Sequence, residues 1–183
     1  MIVFTPPFLM RSHHLSSANT GFSLGIIYGI AGVIGVMLGG VVSDGLGKRE
    51  PRWRFWAPGL ALLIAAPFTL AAWLVRDSGA SVMLMSAARF ANVFYMAPVF
   101  VAAQTLVPVE QRALASGFLL FFNSLIGVSL GPLAVGALSD WLHPLVGLES
   151  LRYALCFVVI TQVWASVHFA LAAHGLRREG AAG

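Results

Sequence analysis

Residues 22–49 read FSLGIIYGIAGVIGVMLGGVVSDGLGKR. Residues 22–42 of that stretch hold no charged side chain. At about 1.5 Å per residue a helix of this length reaches about 30 Å, the thickness of a bilayer's hydrocarbon core. Directly after it come Asp44, Lys48 and Arg49, followed by Arg52 and Arg54. An uncharged run of spanning length that stops at a cluster of bases reads as a transmembrane helix held at its cytoplasmic end.

Working outward, the same pattern recurs. Residues 56–75, 114–138 and 151–173 are also apolar runs of spanning length, and 81–107 is a further one that carries Arg89 within it. Residues 1–10 are apolar but reach only about half a bilayer at helical rise. Their Pro6 and Pro7 make a poor complete helix, so this segment reads as the outer end of a helix whose beginning lies elsewhere. The chain is therefore expected to be an all-α integral membrane protein. Its five full spans and one partial one would be joined by short loops, in a single bundle over residues 1–183.

Composition supports this. Of 183 residues, 58% are hydrophobic and only 10% charged, and the mean hydropathy is +0.85. A soluble domain carries about a quarter charged residues to cover its surface, so hydrocarbon must be much of the solvent here. Disorder is excluded by the same balance. The net charge of +4 does not indicate nucleic acid, because the bases sit in short loops between apolar runs. The lone Cys156 excludes an intrachain disulfide and offers no metal cluster. His13 and His14 are adjacent, so they cannot share a helical ligand face; neither a metal nor a cofactor is predicted. No Gly-x-Ser-x-Gly elbow, His-Glu-x-x-His pair or phosphate loop is present, which argues against an enzyme.

Counting bases on alternate sides sets the orientation. Lys48, Arg49, Arg52, Arg54, Arg112, Arg177 and Arg178 fall on one side, and Arg11, Arg76 and Arg152 on the other. The richer side is expected in the cytoplasm, with the C-terminus inside. The preponderance of arginine over lysine and the abundance of alanine suggest a bacterial inner membrane.

The span 22–42 carries Gly25, Gly29, Gly32, Gly35 and Gly39 on one side of a helix. Small residues let membrane helices approach closely, either as a fixed contact or as a surface on which helices slide. The run Gly40-Val-Val-Ser-Asp44-Gly-Leu-Gly47-Lys48-Arg49 that follows resembles the signature loop of the major facilitator superfamily. That family usually has Arg or Lys directly after the aspartate, whereas this chain has Gly45. Asp44 is suited to accept hydrogen bonds from a helix N-terminus, whose dipole favours an anion; Gly40, Gly47, Lys48, Arg49 and Arg112 would complete a cytoplasmic latch. The bases alone also serve to hold the loop inside.

Gly131, Pro132 and Gly136, within the span 114–138, resemble a Gly-Pro-rich stretch of spinster-like members of that superfamily. Proline bends a helix and glycine keeps the bend packable. Pro7-Phe8-Leu9-Met10-Arg11, Pro108-x-x-Gln111-Arg112 and Glu149-Ser150-Leu151-Arg152-Tyr153 are similar to spinster-like segments in the same order. The resemblance implies the C-terminal half of a twelve-helix carrier, from the end of helix 7 to helix 12, with a small organic or amphiphilic solute bound between two halves. It implies a missing N-terminal six-helix half, or a second copy, as partner, and inactivity of this chain alone. The rivals are a non-transporting membrane interaction protein and a self-assembling half transporter.

An arginine inside a span is a functional candidate by default, because it costs several kcal/mol unless paired or hydrated. Arg89, with Asn92 three residues on and Met96 four beyond it, is therefore the candidate substrate face. Against this, Arg89 lies near enough to the outer end to snorkel. Gln162, mid-way along the last span, is a further substrate candidate, although a buried amide more often bonds across helices.

Overall fold

In the computed structural model, residues 2–180 are described, with side chains through 175. Seven helices follow in chain order. Helix α1 (Thr5–Ser12) carries Pro6 and Pro7 in its first turn, where a missing N–H costs nothing. The chain then turns through His14, which has a φ of 54°. Helix α2 (Ser17–Arg49) starts at Ser16, whose hydroxyl accepts from the Asn19 N–H at 3.3 Å. It runs for 33 residues, or about 50 Å, well beyond a bilayer's apolar core. Its segment Gly25–Ala31 is wound as a π-helix.

The loop expected over 43–55 is thus mostly helix: α2 continues through Asp44 and Gly47 and ends only at Arg49. Lys48 and Arg49 occupy the last turn, where cations complement the helix dipole. After Glu50, helix α3 (Trp53–Leu74) accommodates Pro58 and Pro67 internally. Asp77 caps helix α4 (Ser78–Asn92), accepting from the Ala80 N–H at 2.7 Å.

The run 81–107, expected as one helix, is two. Helix α4 ends at Asn92, residues 93–95 form a turn, and helix α5 (Met96–Thr105) follows. Within the turn Phe94 N donates to Ala91 O at 3.3 Å and Met96 N to Val93 O at 3.0 Å. Pro98 in the first turn of α5 has no N–H to return to the Phe94 carbonyl. A short 3-10 turn, Val109–Gln111, leads into helix α6 (residues 112–146), whose segment Asn123–Leu130 is again π-wound, directly before Gly131 and Pro132. Gly147 takes a φ of +59°, a left-handed value open to glycine. There the chain doubles back into helix α7 (Ser150–Gly180).

Among the described residues, four helical runs are long and apolar enough to cross a membrane: Ser17–Arg49, Trp53–Leu74, Ser78–Thr105 and Val109–Gly175. The last has 67 residues and takes in α6 and, after the reversal at Gly147, α7 as far as Gly175. The Ser139 and Ser150 hydroxyls meet across its bend at 3.1 Å.

Helix α3 is the centre of the bundle, packed between α4 on one side and α7 on the other. The α3–α7 contact is close: a Cβ on Gly59 would come within 2.9 Å of Phe169 Cβ, and Ser166 Oγ donates to the Gly59 carbonyl at 2.9 Å. Helix α2 lies against α4 and α5, while α6 touches the rest through α7 and α5. The apolar core gathers near one end, around Phe8, Leu9, Trp73, Met85, Leu151 and Leu155.

Candidate functional site

Helix α4 carries Arg89 and Asn92 on adjacent turns of one face. Both line a cavity of about 70 Å³ enclosed by α1, α2, α3 and α4, with Thr5, Tyr28, Thr69 and Trp73 among its other walls. The Arg89 guanidinium carbon sits 5.0 Å from the centroid of the Tyr28 ring, within cation–π range. Its Nε is buried with no hydrogen-bond partner. Tyr28 is fixed in turn by its hydroxyl, 2.7 Å from Thr5 Oγ1. The side chain is thus turned inward against an aromatic ring rather than outward to an interface.

Asn92 is held from two sides. Its Nδ2 donates to Thr69 Oγ1 at 3.4 Å, and Thr69 Oγ1 donates to the Ala65 carbonyl at 2.9 Å. Its Oδ1 accepts from Gln162 Nε2 on α7. Gln162 is only 8% exposed; it does not line the cavity but backs Asn92. The structure therefore brings Arg89 and Asn92 together at one cavity and places Gln162 one contact behind them. Met96 lies beyond the break at 93–95, so it does not continue the face of Arg89.

The glycines divide. A Cβ on Gly35 would overlap the Phe90 carbonyl, and one on Gly39 would overlap that of Phe94. A Cβ on Gly32 would approach Arg89 Nε to 3.6 Å. Gly25 and Gly29 have nothing within reach among the described residues. The expectation that these five and Gly21, which also has nothing within reach among the described residues, share one face assumed a uniform α-helix. The π-wound Gly25–Ala31 shifts the phase, so the first three glycines leave the face that Gly32, Gly35 and Gly39 keep. Gly131 meets only its own helix, at Ile126 O, and Gly136 approaches Phe4 Cζ at 3.9 Å.

At the other end of α2, Gly40 lies against Ala97 and Gly47 against the stem of Arg54. Asp44, Lys48, Arg49 and Arg112 are exposed, and among the described residues Asp44 accepts no hydrogen bond. Sequence reasoning missed three groups. Ser43 is fully buried with an unpartnered hydroxyl; its signal is its spacing of four from Gly39 and Gly47. Trp73 lines the Arg89 cavity, and nothing in its apolar surroundings marks it. Arg152 is 8% exposed; it pairs with Glu149 at 2.8 Å, donates to Leu74 O at 3.4 Å and lies 5.7 Å from the Phe8 ring centroid.

A helical bundle of membrane-spanning length, with an arginine and an amide lining one cavity, has the architecture of a multi-pass membrane protein. The chain belongs to the Major Facilitator Superfamily, whose model matches residues 1–177. It is 36% identical over 180 residues to an MFS-type efflux pump of Mycolicibacterium smegmatis, covering 98% of this chain and 42% of that protein. It also resembles crystal structures of a bacterial homologue of the human lysosomal transporter Spinster. In the inward-facing occupied form the TM-score is 0.80, over 94% of this chain and 45% of the other. In the unoccupied form it is 0.82, over 94% and 43%. Identity to both is 26%. The chain thus spans less than half the length of the relatives it matches.

Proposed function

We propose that this chain is the C-terminal bundle of a secondary transporter that moves a small organic or amphiphilic solute out of or across a bacterial inner membrane by alternating access. The solute sits between this bundle and a companion six-helix bundle, and the C-terminus lies in the cytoplasm. Arg89 reads a negative group on the solute and Asn92 adds a directional hydrogen bond. Gln162 holds the Asn92 amide in place.

The observation that carries this reading is the placement of Arg89, inward over Tyr28 with a buried, unpartnered Nε. A cavity supplies the water or anion that such a group requires. The likeness to an efflux pump supports movement of a solute rather than a purely structural role. Asp44 on its exposed turn remains available to a helix N-terminus of the companion bundle.

The test is uptake by the assembled transporter, normalised to folded protein. Arg89→Ala is expected to abolish transport of anionic or zwitterionic solutes, and Arg89→Lys to retain part of it, because the ammonium keeps the charge but loses the planar fork. Equal, near-normal uptake by both variants would remove Arg89 from the site. This chain alone, in liposomes, is expected to give no uptake above empty vesicles; saturable uptake would instead favour assembly of two copies.

A further inference from the structure

The Arg89 cavity holds a second unused donor. Trp73 comes from α3, is 3% exposed and lines the same cavity. Its Nε1 is buried without a hydrogen-bond partner. An indole N–H donates and accepts nothing, and a buried tryptophan ordinarily finds a partner for it. Leaving that donor dry has a cost that a bound acceptor removes. Arg89 Nε, from the neighbouring helix, is in the same condition.

The rest of the lining agrees in sign. Asn92 commits its oxygen to Gln162 and turns its nitrogen toward Thr69 at a long 3.4 Å. Tyr28 and Thr5 hydroxyls pair with each other along one wall. Among the described residues, no carboxylate lines the cavity. The two unpartnered groups of the lining, Trp73 Nε1 and Arg89 Nε, are therefore both donors, and one carries a fixed positive charge. The other walls, Ile27, Ala72, Met85 and Ala88, are apolar, which suits a carboxylate on an organic molecule better than a more strongly hydrated phosphate.

We propose that Trp73 and Arg89 form a subsite for a single carboxylate, the indole N–H holding one of its oxygens and the guanidinium the other. The subsite rests on the reading of Arg89 given above and adds to it a second contact and a ligand class. The remainder of the carboxylate-bearing molecule lies outside the cavity.

The test uses the purified chain in nanodiscs with ¹⁵N-labelled tryptophan. The Trp73 indole resonance is assigned by its loss in Trp73→Phe, and the other four of the five tryptophans report that each variant is folded. Butyrate, dodecanoate, inorganic phosphate and butylammonium are the probes. A carboxylate is expected to shift the Trp73 resonance saturably, while phosphate and butylammonium do not. Response to butyrate identifies a small free acid as the ligand's source, and response to dodecanoate alone identifies an amphiphile; either supports the subsite. With affinity read by calorimetric titration, which needs no Trp73 signal, Trp73→Phe is expected to weaken carboxylate binding about tenfold, the scale of one hydrogen bond to a charged group, and Arg89→Gln by at least as much. Weakening by Arg89→Gln with none from Trp73→Phe overturns the subsite and leaves Arg89 as the solute contact. Binding indifferent to both variants overturns both readings. Phosphate binding as tight as butyrate, or no saturable shift with any probe, overturns the carboxylate assignment.

Discussion

Helices α2 and α6 are built alike. Each is longer than a bilayer needs, each is rich in glycine, and each has a π-wound segment, Gly25–Ala31 in one and Asn123–Leu130 in the other. Their surroundings differ. In α2 the residues Gly32, Gly35, Gly39, Ser43 and Gly47 form a buried face. In α6 no residue from 112 to 146 is buried by the rest of the chain. The glycines of α2 let its backbone sit on the carbonyl oxygens of Phe90 and Phe94, the second of which Pro98 deprives of its helical donor. The comparison teaches that a glycine-rich span marks close packing without saying where the partner is. For α2 the partner is the broken α4–α5 helix. For α6, whose uncovered surface includes the polar side chains of Asn123, Ser124 and Ser129, the proposed function places the companion bundle there, because lipid offers those groups no hydrogen bonds.

The largest expected effect tests the packed side. Gly39→Leu must displace the Phe94 backbone, and overpacking of this kind costs about 1–3 kcal/mol or more. Gly117→Leu on α6 meets nothing within 4 Å and should leave the chain's stability unchanged. The folded fraction of each variant on size exclusion, followed through a thermal ramp, is the readout. Equal melting of the two would mean that the α2 contact is slack and the contrast unreal.

A smaller effect probes the uncovered side. Asn123→Leu is expected to be neutral or slightly stabilising in this chain alone. With the companion bundle present it should weaken assembly by about 0.6 kcal/mol, the average for a hydrogen bond between membrane helices. Co-purification yields of the two bundles, with and without the substitution, decide this. Unchanged assembly would leave α6 facing lipid at that position.

The two sides also explain what the sequence discloses and what it hides. Spanning length and charge placement are local properties, so the helical class, the family and the inward candidates Arg89 and Asn92 are legible residue by residue. The break after Asn92 is not, because no glycine lies in residues 93–95 and the only proline nearby, Pro98, falls within the first turn of the following helix, where it is tolerated. The phase shift between Gly29 and Gly32 is equally invisible, since a π-wound turn has no fixed residue signature. Gln162 was placed among the substrate contacts on its mid-span position; its alternative, a bond across helices, is the one it makes in this chain, to Asn92. Trp73 reads as one more apolar residue until the structure sets it, with Arg89, in the wall of one cavity.

The smallest expected effect concerns how the N-terminal end of α2 is tied down. Helix α1 and the turn after it lead into α2, and His13 in that turn packs edge-on to Phe8, with ring centroids 5.1 Å apart. Neither of its ring nitrogens makes a well-formed hydrogen bond. Burial, and next the nearby Arg152 charge, hold its pKa below the usual 6.5; a backbone contact at Arg76 and the carboxylates of Asp77 and Glu149 act in the opposite direction and are outweighed. A lowered folded pKa means that the fold prefers neutral imidazole. The stability this contributes is fully present above pH 6.5 and is lost as pH falls through the lowered value. Acidification should therefore loosen residues 5–14 while the C-terminal end of α6, tied through Ser139 and Ser150, stays as it was. Hydrogen exchange of the two regions, corrected for intrinsic rates between pH 7.5 and 5, is the measurement. His13→Phe keeps an aromatic ring against Phe8 and should remove the pH dependence from residues 5–14. If the variant retained it, or if α6 loosened equally, the tie at the start of α2 would not run through His13 and the two helices would share one acid response.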